Sequence, residues 1–199
     1  SSRSIAFYQT TLQKMFSHIT KIYYSVTTED IRLYLSNYQD TNKVSKSTID
    51  NMRRIISSFF SWLESEDYIV KSPARRIHKV KTPKLVKEVF SDESIELMRQ
   101  NCKNPRDLAI IDLLYSTGIR VGELVRLDIS DVDFSNKECI VFGKGDKQRK
   151  VYFDAKTKIH LQQYIETRKD NNPALFVSLL YPYNRLKVSG VEIALRKIG

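Results

Sequence analysis

At 199 residues, the chain is long enough for one large domain or two small ones. Hydrophobic residues make up 41% and charged residues 28%, the composition of a globular protein and not of a disordered or fibrous one. A formal net charge of +10 argues for a polyanionic partner, and no apolar run approaches the length of a membrane span. Cys102 and Cys139 are too few and too far apart to suggest a disulfide framework or a metal site. They read as reduced, buried thiols of a cytosolic protein. The opening Ser1-Ser-Arg-Ser-Ile-Ala-Phe lacks the basic-then-apolar layout of a signal peptide and has no initiator Met, as an internal fragment would.

In chain order, the first helix is expected from Ile5, Tyr8, Leu12, Met15, Phe16 and Ile19, which recur at helical spacing. Thr27-Thr-Glu-Asp reads as an N-cap with acids in the first turn, starting a second helix through about Tyr38. Ser45 or Ser47 caps a third. Its stripe of Ile49, Met52, Ile56, Phe59 and Leu63, flanked by Ile55, Phe60 and Trp62, is wide enough for a helix buried in a bundle, with the aromatics in the core. Lys46, Arg53 and Arg54 lie off that stripe, as a solvated face or as contacts to a nucleic acid. Ser72-Pro-Ala stops helical order. Between residues 71 and 87 stand Lys71, Arg75, Arg76, Lys79, Lys81, Lys84 and Lys87 with no acid among them. Such a one-sign cluster is an electrostatic footprint for nucleic acid or a solvated linker. The expected organisation is a helical bundle over 1–73, a basic linker over 74–88 and a second unit over 89–199.

The second unit opens with Ser91-Asp-Glu-Ser, an N-cap for a helix to about Asn101. Pro105 opens another helix, with Leu108, Ile110, Ile111, Leu114 and Tyr115 on its apolar side and Gly118 as its stop. A short helix follows over about Val121–Leu127. Glu138–Phe142 and Arg149–Phe153 read as two strands joined by the turn residues Gly143-Lys-Gly-Asp. Helices are expected over roughly Ala155–Arg168 and Val188–Ile198, with Leu175–Ser178 extended between them. The fold class is therefore mainly α with a small antiparallel β-sheet: an N-terminal helical bundle, then a mixed α+β unit.

Two motifs can carry chemistry. Arg120 follows a helix-ending glycine and precedes a short apolar helix, so its guanidinium could aim two parallel N–H donors at a phosphate, a fork that lysine lacks. Glu123 stands one turn further on and could orient it. Spacing alone favours an ordinary surface ion pair, worth about 0.5 kcal/mol. Lys144 sits between two glycines at a hairpin tip, where the backbone can approach a ligand closely, with Lys147, Arg149 and Lys150 nearby. A solvated basic turn is the plain alternative, and the spacing is not that of a phosphate-binding P-loop.

Order and spacing together sharpen both signals. The stretch Thr117-Gly-Ile-Arg-Val-Gly-Glu-Leu124, followed by Gly143-Lys-Gly-Asp-Lys-Gln-Arg149, resembles the arginine turn and lysine hairpin of tyrosine site-specific recombinases, the phage-integrase and Xer type. The helical first segment and basic linker fit the same order. The resemblance implies a core-binding domain, a linker and a catalytic domain that clamp duplex DNA. It implies tyrosine attack on a phosphodiester, giving a 3′-phosphotyrosyl link and a free 5′-hydroxyl, with no metal or other cofactor because the covalent link stores the bond energy. Arg120 would stabilise the transition-state charge, Glu123 would orient it, and Lys144 would act as general acid. Lys46, Arg53, Arg54, Arg75, Arg76, Lys79, Lys81, Lys84, Lys147 and Arg149 would contact DNA.

The family's H-x-x-R motif and nucleophilic tyrosine find no match. His18, His78 and His160 do not begin such a motif, and Tyr181 and Tyr183 come too early. The catalytic domain is thus expected to be incomplete at its C-terminus, and the chain inactive alone. The implied partners are double-stranded DNA and further copies of the chain, as a tetramer on two sites, or a partner recombinase. The implied location is the cytoplasm, with the nucleoid. The rival readings are a truncated, non-catalytic DNA-binding module, either decoy or architectural, and an RNA-binding helical protein.

Overall fold

The computed structural model describes residues 2–81, 89–143, 145 and 147–199. Contacts group the chain into two compact units that divide between residues 87 and 88.

In the first unit, α1 (Ser2–His18), α2 (Thr28–Asn42) and α3 (Lys46–Ser65) enclose a core of Met15, Ile31, Ile56 and Phe60, all fully buried. The starts of α2 and α3 are fixed by side chains. The Thr27 hydroxyl accepts from the Asp30 N–H at 3.2 Å while the Asp30 carboxylate accepts from the Thr27 N–H at 2.8 Å, and Ser45 accepts from the Thr48 N–H. Two sequence expectations shift. Ile5 and Tyr8 are exposed, and the hydrophobic cluster takes α1 residues only from Leu12 onward. On α3, Phe60 is the aromatic buried completely, whereas Trp62 is 50% exposed.

The segment expected to be linker from residue 74 is in fact packed onto this unit as far as Val80. A short 3₁₀ turn covers Pro73–Arg76, and the Thr28 hydroxyl donates to the Pro73 carbonyl at 2.7 Å. Ala74, Ile77 and Val80 meet the core, three residues apart, while Arg75, Arg76 and Lys79 face outward. The Val80 N–H donates to the Asp50 carboxylate at 3.2 Å. A three-residue period is the repeat of a 3₁₀ or extended polyproline-like chain, so a search for helical or strand period passes over it.

The second unit is mixed. Its helices are α4 (Asp92–Gln100), α5 (Pro105–Thr117), α6 (Val121–Leu124), α7 (Ala155–Thr167) and α8 (Val188–Ile198). Its strands, β1 (Val132–Asp133), β2 (Glu138–Phe142) and β3 (Gln148–Tyr152), form an antiparallel sheet in the order β1-β2-β3. Cys139 pairs with both Val132 and Val151, and Phe142 pairs with Gln148. Ala109, Ile110 and Leu113 of α5 are fully buried against Leu161, Phe176 and Val191. The chain between α7 and α8 is held by Arg168, which donates to the carbonyls of Asn172 and Ala174 at 2.6 Å each. This replaces the expected extended run with two isolated β-bridges, Asp128 to Ala174 and Val177 to Arg185.

An acid lies inside this core. The Asp112 side chain on α5 is buried, accepts from Arg99 Nε of α4 at 2.5 Å, and pairs with His160 Nδ1 of α7. Three helices thus share one carboxylate. No described helix is long and apolar enough to cross a membrane.

Candidate active site around Arg120

The turn that presents Arg120 is built from its flanks. Gly118 ends α5 in the left-handed region at φ 63°, and its N–H donates to the Leu114 carbonyl at 2.9 Å. Buried Ile119 and Leu124 anchor the chain on either side. Arg120 is the N-cap of α6, with extended dihedrals, φ −74° and ψ 147°. Glu123, three residues on, turns its carboxylate back and accepts from the Arg120 N–H at 2.9 Å. That is the carboxylate half of a capping box, placed where the helix's first amides favour negative charge.

Glu123 is the centre of the arrangement. Its side chain is only 3% exposed. Oε1 accepts from Arg120 Nη1 at 3.1 Å and from Arg149 Nη1 at 3.0 Å; Oε2 accepts from Arg149 Nη2 at 2.8 Å as well as from the Arg120 N–H. Arg149 thus grips the carboxylate with two parallel bonds, whereas the Arg120 side chain contributes one. The Arg149 hydrogen bonds, opposed by burial and joined by those from Arg120, hold the Glu123 carboxyl down at about 2. Arg120 itself is 78% exposed at the side chain. It is a guanidinium steered from behind and open in front.

The hairpin joins the same turn from the other side. The Gly143 N–H donates to the Lys147 carbonyl at 2.9 Å, and Gly145 has φ 77°. Arg126 donates to the Gly122 carbonyl at 2.9 Å and to the Phe142 carbonyl at 3.1 Å, so the end of β2 is tied to α6 as well. Lys144, expected to be the general acid, lies outside the described residues, as does Lys84.

The other expected contact residues divide into two groups. Lys46, Arg54, Arg75, Arg76, Lys79, Lys81 and Lys147 are exposed. Arg53 and Arg149, read from sequence as basic contacts, are each paired with a carboxylate. Arg53 Nε donates to Asp50 at 2.8 Å with its side chain 15% exposed, and Arg149 holds Glu123. A buried carboxylate must be paired, and it takes the nearest cation. Sequence reasoning also passed over Asp112; its signal was an acid inside the apolar run from Leu108 to Leu114 of α5.

The described residues thus combine an all-helical bundle with a mixed unit in which an exposed arginine is mounted on a buried glutamate beside a basic hairpin. The comparisons place it. The phage integrase family model matches residues 87–199, and that of the phage integrase N-terminal SAM-like domain matches residues 1–69. The chain belongs to the phage integrase family. It is 30% identical over 193 residues to a tyrosine recombinase XerC of Oceanobacillus iheyensis, a match that covers 92% of this chain and 62% of the relative. It is 32% identical over 180 residues to a tyrosine recombinase XerA of Pyrococcus horikoshii, covering 89% and 59%. The chain therefore spans about three fifths of the length of these relatives. Its fold is also that of a lambda integrase solved as a tetramer bound to a Holliday junction, with TM-score 0.81 at 16% identity, covering 100% of this chain and 60% of that one.

Proposed function

We propose that this chain contributes the DNA clamp and the first catalytic groups of a tyrosine site-specific recombinase. The observation that carries the reading is the Arg120 guanidinium, 78% exposed at the side chain yet held from behind by a buried carboxylate. A fork so mounted can stabilise charge on the non-bridging oxygens of a scissile phosphate as a tyrosine attacks it. Glu123 orients the fork. Lys144, between Gly143 and Gly145 in the sequence, protonates the departing 5′-oxygen, so the products are a 3′-phosphotyrosyl link and a 5′-hydroxyl. Duplex DNA is the substrate, gripped by the exposed cations of the first unit. The relatives named tyrosine recombinases support the reaction class, and the lambda integrase tetramer on a Holliday junction, whose fold this chain shares, supports assembly of several copies on DNA.

The test uses the protein that carries these residues together with a tyrosine nucleophile, on a nicked duplex that traps the covalent intermediate. Arg120→Ala abolishes the trapped adduct while the duplex is still bound in a mobility-shift assay. Near-normal adduct from Arg120→Ala would sink the assignment.

A further inference from the structure

Glu123 is shared by two guanidinium groups, and the sharing is unequal. Arg149 occupies both carboxylate oxygens, at 3.0 and 2.8 Å, while the Arg120 side chain gives one N–H at 3.1 Å. Two guanidinium groups on one carboxylate leave a cluster of net charge +1. Its more exposed member is Arg120, at 78% against 41% for Arg149. If Arg149 were absent, the cluster would be neutral, and the carboxylate's second oxygen would draw Arg120 back into a bidentate pair. An arginine neutralised in that way is a poor phosphate ligand, because binding would first have to break a charge-assisted pair at a buried group.

We infer that Arg149 is a positioning residue that satisfies Glu123 so that the charge of the Arg120 guanidinium stays uncompensated and open toward a phosphate. It touches no substrate in this role; it acts through the carboxylate. The hairpin is seated against the same pair. A Cβ added at Gly143 would come within 3.3 Å of Arg149 Nη1 and 3.8 Å of Glu123 Oε1, so the strand leading to the hairpin tip rests directly on the Arg149–Glu123 contact. One carboxylate therefore registers the arginine turn and the hairpin together.

This inference rests on the reading of Arg120 as a phosphate ligand, and one experiment separates the two. Inorganic phosphate is titrated into this chain while the Arg120 Nε–Hε signal is followed by NMR. In the native chain the signal shifts and saturates. Arg149→Met weakens the fitted affinity by about tenfold, the scale of one charge-assisted bond. Glu123→Gln added to Arg149→Met restores it, because no charged carboxylate remains to capture Arg120. Arg149→Lys, which keeps the charge but loses the fork and serves if Arg149→Met does not fold, weakens it by about threefold, and Glu123→Gln again restores it. A native-like affinity in Arg149→Met (or in Arg149→Lys where that variant stands in), or a loss that Glu123→Gln does not rescue, overturns the inference and leaves Arg120 as a ligand. An Arg120 signal indifferent to phosphate in the native chain overturns both.

Discussion

The two units each hold a buried acid three residues from an arginine, and they use it differently. On α3, Asp50 meets Arg53; the guanidinium is 15% exposed at the side chain and the Val80 N–H fills a further position on the carboxylate. The pair is closed, and it pins the segment ending at Val80 to the bundle. At the start of α6, Glu123 meets Arg120, but a second guanidinium from β3 takes the larger share of the carboxylate and Arg120 remains open. The i,i+3 spacing is common to both, so spacing does not separate a structural pair from a site. What separates them is the ratio of cations to acid, and the surplus cation is the one that can serve a ligand.

The largest effect that could break this comparison is on chemistry. In the protein with its nucleophile, Arg120→Lys lowers the rate of covalent-complex formation by roughly 10²–10³-fold, because the fork is lost, while Arg53→Lys leaves it near native. Single-turnover kinetics on a nicked duplex decide it; equal losses would make the two pairs equivalent.

Next in size is binding. Arg75, Arg76, Lys79 and Lys81 are exposed, whereas Arg53 is spent on Asp50. Changing those four to Ala together flattens the dependence of log affinity on log salt by roughly 3–4. Changing Arg53 to Met leaves the slope unaltered. Anisotropy titrations of a duplex across salt concentrations read both, and a slope that follows Arg53 would place it on DNA.

Stability reverses the ranking. Arg53→Met strands Asp50 with little besides a backbone N–H and costs roughly 2–3 kcal/mol in urea unfolding. Arg149→Met leaves Glu123 with Arg120 and costs about 1 kcal/mol. A greater loss at Arg149 would show that the Glu123 cluster is the more closed of the two.

The smallest effect is in acid. Glu123 sits at about 2, below its ordinary carboxylate value, chiefly through Arg149. A depressed folded value means the stabilisation is whole above the unfolded value of about 4.3 and is lost as pH falls through about 2. Asp50 is lowered too, chiefly by Arg53. Glu123→Gln therefore loses less stability than native between about pH 4.3 and about 2, and Asp50→Asn likewise loses less than native as pH falls into the acid range. Urea midpoints across that range measure it, and an unchanged slope in Glu123→Gln would remove the coupling to Arg149.

Much of this was legible in advance where a local rule applied. The cap at Thr27, Ser45 as one of two candidate caps, and the stop at Gly118 follow from residue chemistry within one turn, and α8 from its apolar spacing. The hairpin strand beginning at Gln148 lies one residue from its expected start at Arg149. Glu123 beside Arg120 was a matter of helical pitch. What escaped was tertiary. Arg149 stands in a basic run, and nothing local marks it as the partner of an acid 26 residues earlier. The two-residue β1 has no period to detect. Asp112 announced itself only as an anomaly in an apolar helix, without naming Arg99 or His160 as its company.

That last carboxylate has a consequence for cooperativity. Of its own residues α4 buries only Ile95, yet its Arg99 reaches Asp112 in the middle of α5. Fraying α4 alone would leave the buried Asp112 with His160 as its one remaining side-chain ion-pair partner among the described residues, a cost that its small apolar face does not suggest. The helix should therefore open together with α5 and α7 as one unit, and its amides should exchange with deuterium at the rate of the core and not of a surface helix.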